Sequence, residues 1–334
     1  MTTVREDWLA RTTEDPIDPD LPICDPHHHL WERPGDRYLL PDLLSDLGSG
    51  HNIVETVFLE CASMYKTDGP AEMRPLGETE FVQGVADDNV RQGGKTKVNS
   101  GIIGHADLTL GDGVKAVLEA HLAASPDRFR GIRHASAWDE DPAFVSNRRP
   151  PKGLLSDSRF RQGFAKLDEL GMSYDAWLYH PQLSELADLA SSFPNVTIIL
   201  NHIGGPLGAG PYSSERDQVF VDWQRGMAEV ASNPNVVVKL GGLGMPSYGN
   251  GFHEQEKPSG SAELAEAMTP YLMYCIEQFG VDRCMFESNF PVDKISYSYN
   301  IMWNAFKRVA GGFSDDERAA LFRGTAVMAY RLKK

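Results

Sequence analysis

Short apolar runs recur along the chain, most of them followed by a polar or glycine-bearing turn and then an amphipathic stretch. The runs Leu21–Cys24, Ile53–Leu59, Val98–Gly104, Phe129–His134, Met172–Leu178, Val196–Asn201, Val236–Leu240 and Cys284–Glu287 predict strands. Between them a 3.6-residue period predicts helices, among them Val114–Ala124, Ser158–Leu170, Pro181–Ser191, Arg216–Ala231 and Ala262–Phe279. Runs such as VTIIL and NVVVKL are almost continuously apolar. Strands of a parallel sheet covered on both faces read this way, because neither face meets water. Eight such units without an internal break predict an α/β fold, a closed (β/α)8 TIM barrel rather than an open doubly wound sheet. The last segment, Ser314–Leu332, predicts a closing helix: Ser314 suits the N-cap, and Asp315, Asp316 and Glu317 complement the positive end of the dipole.

Length fits this picture. The 334 residues suffice for one barrel domain with long βα loops and an N-terminal extension over residues 1–19. Two stretches break the rhythm. Ala135–Asp157 holds Pro142, Pro150, Pro151 and the basic pair Arg148–Arg149, and Gly241–Ser261 is rich in glycine and proline and contains His253. Both follow strands, so both are expected on the catalytic rim as lids or substrate walls.

The charge narrows the partners. A formal net charge of −15 repels phosphate backbones and anionic lipid, which argues against nucleic-acid and membrane binding. There is no run of about 18 apolar residues and the polar N-terminus lacks an apolar core, so a cytoplasmic location is expected. Cys24, Cys61, Cys275 and Cys284 are scattered, which suits reduced thiols. No glycine-rich dinucleotide or P-loop pattern follows a strand. The partner that remains is a small molecule; assembly into a homo-oligomer is left open.

The chemistry concentrates at strand ends. Asp25-Pro26-His27-His28-His29 follows the first apolar run, and residues two apart on an extended chain point to one side. His27 and His29 are therefore expected to converge inside the barrel mouth, with His28 turned into packing. Neutral imidazoles are common ligands for zinc, and a third histidine would complete an open catalytic site. His202 closes VTIILNH before Gly204 and Gly205, and His180 lies just past the fifth run. His51 and His121 are expected at the surface. On the eighth run, CMFESNFPVD, Glu287 and Asn289 can share a face and Asp293 follows in the loop. A buried acid beside a metal or a charged imidazole can serve as general base, and Glu60 is another candidate. Arg133 and Lys239, each near the end of a strand, offer positive charge to an anionic substrate, or an internal ion pair with Glu60 or Glu287.

Together His27-x-His29, WLYHPQL, ILNHIGGP and ESNFPVD resemble the amidohydrolase-2 branch of the amidohydrolase superfamily, from about Ile23 to the terminal helix. The resemblance implies a barrel enzyme with His27, His29, His180, His202 and a strand-eight aspartate around the reacting water. That branch contains lactonases for sugar-acid lactones and 2-pyrone-4,6-dicarboxylate. Where many members carry Ser-Asp-x-Pro, this chain has Ser288-Asn289-Phe290-Pro291. Asparagine can orient or ligate but cannot take a proton, so Glu287 is expected as the base, with Asp293 behind it.

The expected function is thus hydrolysis of a carboxylate-bearing lactone or similar cyclic ester. His27, His29 and His202 would hold one divalent ion, zinc favoured, with metal-independent catalysis as the alternative. Glu287, Asn289, His180 and Asp293 would act at the reacting water, and Arg133, Lys239 and Glu60 at the substrate. The competing functions are metal-dependent decarboxylation and ligand binding by a decayed barrel.

Overall fold

The structure is a computed structural model that describes residues 4–144 and 148–333. Eight parallel strands run in chain order around one sheet: β1 Ile23–His28, β2 Ile53–Leu59, β3 Lys97–Gly104, β4 Phe129–Arg133, β5 Ser173–Ala176, β6 Ile198–Leu200, β7 Val236–Leu240 and β8 Cys284–Phe286. Just past β8 the chain closes the ring: Asn289 N donates to His27 O at 2.9 Å and His29 N to Phe290 O at 2.8 Å. Asp25 reinforces that seam, accepting from Ser288 N and from the Tyr299 hydroxyl. Burial pushes the Asp25 carboxyl up to about 6, against the pull of those Ser288 and Tyr299 hydrogen bonds. This is the TIM barrel that the hydrophobic pattern predicts.

The differences lie at element ends. β1 runs on through the histidine motif to His28, because Asp25 and His28 keep pairing with β2. Three helices beyond those picked out by periodicity flank the sheet, Leu40–Leu47, Leu76–Arg91 and Tyr299–Val309, and a hairpin of Trp31–Arg33 with Asp36–Tyr38 follows β1. Within the loop Ala135–Asp157, residues 145–147 lie outside the described residues. Ser314 does cap the terminal helix, receiving Glu317 N while Glu317 Oε2 accepts Ser314 N. The helical segment then passes through a π turn, Ala320–Gly324. Tyr330 and Leu332 pack with Cys24, Val57, Ile103, Ile199 and Met285 in a barrel-interior cluster. That apolar plug lies beneath the polar centre, whose histidines and acids sit at the C-terminal ends of the strands.

Candidate active site

Strand ends supply the site. His27 and His29 project from the end of β1, with Nε2 of one 3.2 Å from Nε2 of the other. His28 faces away, bonding Thr56 Oγ1 at 2.9 Å and packing on Phe58. The alternation of an extended chain therefore separates the three imidazoles as the sequence predicts. His29 Nδ1 sits 2.8 Å from Leu59 O, an acceptor only, so that nitrogen carries the proton and Nε2 is bare.

From β6 comes His202, whose ring centroid is 4.4 Å from that of His27. Glu287, the residue after β8, binds it twice: Oε1 accepts from His202 Nδ1 at 2.7 Å and from His202 N at 3.0 Å. A bare His202 Nε2 follows. Glu287 Oε2 lies 2.6 Å from His27 Nδ1, but obliquely, and this fully buried oxygen has no hydrogen-bond partner. Close backbone approach makes the arrangement possible. A Cβ on Gly241 would stand 2.5 Å from Glu287 Cγ, and one on Gly242 would stand 2.6 Å from the His202 ring. His202, Ile203 and Asn289 hold left-handed backbone (φ 53°, 49° and 56°), a cost of about 1–3 kcal/mol each that clusters at functional sites. Trp177 sets its ring edge-on to His202 at 4.8 Å, and the Tyr248 hydroxyl donates to His202 O.

Charges surround these imidazoles. Lys239 Nζ lies 3.3 Å from His27 Nδ1 and 2.9 Å from Asp175 Oδ1. Arg133 Nη1 lies 3.4 Å from His27 Nε2 and donates to Asn201 Oδ1 at the same distance. Burial, then the neighbouring cations Lys239 and Arg133, hold His27 well below the ordinary imidazole range. Burial likewise lowers His29 and His202, the latter against the pull of Glu287. All three are neutral at pH 7. Glu60 accepts from Arg133 Nε at 2.9 Å and pairs with Arg148, which also bonds the Tyr65 hydroxyl. Burial would raise its carboxyl, but the two guanidiniums outweigh burial and hold it down at about 2.

Several expected residues stand elsewhere. His180 packs edge-on to Tyr212, accepts from Leu207 N, and borders a groove with Asp222, Arg225 and Glu229. Two residues of turn past the last strand-like apolar position carry it outward. Asn289 turns its amide to Asp293 Oδ1, 2.8 Å away, because its left-handed backbone redirects the side chain. Asp293 is wholly buried, accepting also from Gly244 N and the Tyr297 hydroxyl; burial pushes it up to about 7. Lys239 is fully buried in its Asp175 pair and Glu60 is committed to two arginines, so both lie within the scaffold of the site. His51 and His121, expected at the surface, are buried: Lys307 Nζ donates to the one, and the other bonds Thr79 from the inner face of its helix. Trp177, Tyr248 and Arg148 were not picked out as site residues. The glycine pair after β7 was the available signal for close packing there; Tyr248 carried none.

The residues fit a divalent cation. His27, His202 and Glu287 each offer a ligand atom, all within 4.8 Å of one another. The partnerless Glu287 Oε2 is an open valence for such an ion. Two nitrogens bound to one tetrahedral zinc at about 2.0–2.1 Å stand roughly 3.3 Å apart, close to the His27–His29 separation.

The amidohydrolase family model matches residues 24–332. The chain belongs to the amidohydrolase family. A Sinorhizobium fredii protein designated y4mH is 36% identical over 94% of this chain and 99% of its own length. The L-fucono-1,5-lactonase of Burkholderia ambifaria is 24% identical, over 93% of this chain and 96% of its own. Among solved structures, an amidohydrolase from Burkholderia multivorans crystallised with zinc superposes with a TM-score of 0.69 at 23% identity, covering 93% of this chain and 99% of that one. Among the described residues, no helix of this amidohydrolase is long and apolar enough to cross a membrane.

Proposed function

We propose that this amidohydrolase is a cytoplasmic lactonase that opens the lactone of a sugar acid by attack of water on the ring carbonyl. One observation carries the reading: Glu287 fixes both the backbone and Nδ1 of His202, leaving a bare, neutral Nε2 at the barrel mouth. An imidazole oriented by a carboxylate in this way is a competent general base. His202 Nε2 takes the proton of the attacking water as oxygen bonds to the carbonyl carbon, and Glu287 stabilises the imidazolium. When the ring C–O bond breaks, the same proton passes to the leaving alkoxide. Arg133 Nη1, the one guanidinium nitrogen not turned to Glu60, supplies positive charge for the oxyanion.

His27 and Glu287, with His29 beside them, would hold the divalent ion, for which zinc suits the imidazole pair, and the His202 Nε2 lone pair stays with the attacking water. Such an ion supplies Lewis acidity and lowers the pKa of water in contact with it. The relatives named as L-fucono-1,5-lactonase and L-rhamnono-gamma-lactonase favour hydroxylated lactones as substrates. A carboxylate on the substrate has less support, since Arg133 is already paired with Glu60. The test is a panel of aldonolactones followed by pH-stat, with the His27→Ala/His29→Ala protein as control. Turnover that the double substitution abolishes, in a protein still folded, supports the proposal. Undiminished lactone opening in the double variant refutes it, as does carbon dioxide release from a carboxylated aromatic with no lactone opened.

A further inference from the structure

His27, Glu287 and Tyr248, which pack on His202 or hold it, are 0%, 0% and 3% exposed. Trp177, the other ring against His202, is partly exposed. A molecule that arrives from solvent at His202 therefore meets this indole. Trp223 and Trp303, whose rings serve packing between the helices and the sheet, are by contrast fully buried. Leaving part of a large apolar ring in water at the mouth of a polar site is unfavourable unless a ligand covers it.

The ring is also firmly held. Trp177 follows Ala176, the last residue of β5, and lies edge-on to His202, with centroids 4.8 Å apart and planes at 80°. Its carbonyl accepts Ser136 N at 2.9 Å and Ser136 Oγ at 3.3 Å, tying the ends of β4 and β5 together. Tyr179 packs edge-on 5.5 Å away, and its hydroxyl donates to Phe144 O at 2.9 Å. A ring fixed in this way loses little freedom when a ligand settles on it.

In the proposed reaction Arg133 faces the lactone oxyanion and His202 Nε2 the attacking water. The rest of the lactone ring then needs a surface beside His202, and the indole is the one that solvent reaches. An indole face is negative and attracts C–H bonds polarised by adjacent oxygen atoms, which a sugar-acid lactone carries around its ring. We infer that Trp177 is the substrate platform of this site, stacking the C–H face of a hydroxylated lactone and so carrying affinity for the part of the ring that does not react. The identity of that ring rests on the lactonase reading; the platform needs neither a bound metal nor a particular protonation state.

The probes are D-glucono-, D-galactono- and D-mannono-1,5-lactam, which keep the ring and its hydroxyls but replace the ester with an amide that resists hydrolysis. Each is titrated calorimetrically into the full chain with zinc supplied, for wild type, Trp177→Phe, Trp177→Leu and Trp177→Ala. At least one lactam is expected to bind wild type, with Kd raised at least tenfold in the leucine and alanine variants and kept within threefold in Trp177→Phe. The leucine variant keeps apolar bulk against His202, so the test stands if the alanine variant misfolds. On a lactone that wild type opens, KM should rise at least tenfold in Trp177→Leu while kcat and its acid limb stay within threefold. A residue that merely props His202 would instead lower kcat and move that limb with lactam affinity intact, and this result overturns the inference. So does the absence of lactam binding from wild type. Lactam bound through Trp177 by a protein that opens no lactone sustains the platform and sinks the lactonase reading. Lactone opening with a KM indifferent to Trp177 does the reverse.

Discussion

Replacing Glu287 by glutamine tests the centre of the mechanism, because it keeps the shape of the side chain and removes its charge. Glu287 Oε1 lies 2.7 Å from His202 Nδ1 and its carboxylate is wholly buried. When His202 accepts a proton from water, a unit positive charge appears about 4 Å from the carboxylate centre. With an effective dielectric near 20, that attraction is about 4 kcal/mol. An amide supplies only a fraction of it, so kcat should fall roughly a thousandfold, at about 1.4 kcal/mol per decade. KM should move little, since the charge appears only in the transition state. The sign of the pH effect follows from the same contact. Glu287 opposes the fall that burial imposes on His202, so its loss drops the imidazole further and moves the acid limb of kcat to lower pH. The assay is initial-rate lactone opening by pH-stat between pH 5 and 9, with circular dichroism to show the fold intact. A folded variant whose kcat stays within threefold of wild type would sink the His202–Glu287 assignment.

Three further outcomes can be checked on the same preparations. His180→Ala should retain kcat within about threefold, because its ring packs on Tyr212 away from the other histidines; a hundredfold loss in a folded protein would return it to the site. Gly242→Ala should lower kcat at least a hundredfold and reduce Tm measurably, since its Cβ would fall 2.6 Å from the His202 ring at φ +76°, and wild-type rates would contradict the observed packing. Asp293, raised by burial to about 7, still binds a proton in the fold at pH values where the unfolded chain has lost it, so it makes stability fall as pH rises from about 4 to 7. Asp293→Asn should flatten the slope of Tm against pH over that window, and an unchanged slope would show that Asp293 does not titrate there.

Much of this was legible in the residues. Strand identity came through because β6 is wholly apolar and β7 is apolar but for Lys239, and every residue of both is buried. The convergence of His27 and His29 followed from two-residue periodicity alone. What the sequence could not show is which charges pair. Arg133 stands at the end of β4, but whether its fork meets a substrate or Glu60 depends on β2 and β4 lying two strands apart with side chains long enough to meet across the interior. His121 illustrates another limit: one polar residue on an amphipathic helix looks exposed until a partner, here Thr79 on the preceding helix, is seen to satisfy it.

Asn289 raises the sharper question of how a site survives the loss of its expected acid. An asparagine in the place of aspartate removes one negative charge from the turn after β8, where its side chain meets Asp293. The carboxylate that meets the histidines stands two residues earlier, where Glu287 reaches both His202 and His27 from the end of β8. Gly241 and Gly242 open the space for it, and Asn289 turns its amide to donate to Asp293. These positions are physically interdependent: a side chain at residue 241 would collide with Glu287, one at 242 with His202, and an aspartate at 289 would set a second carboxylate against Asp293. Charge at residue 287, absence of a Cβ at 241 and 242, and an uncharged donor at 289 therefore form one arrangement, whose parts cannot be exchanged singly.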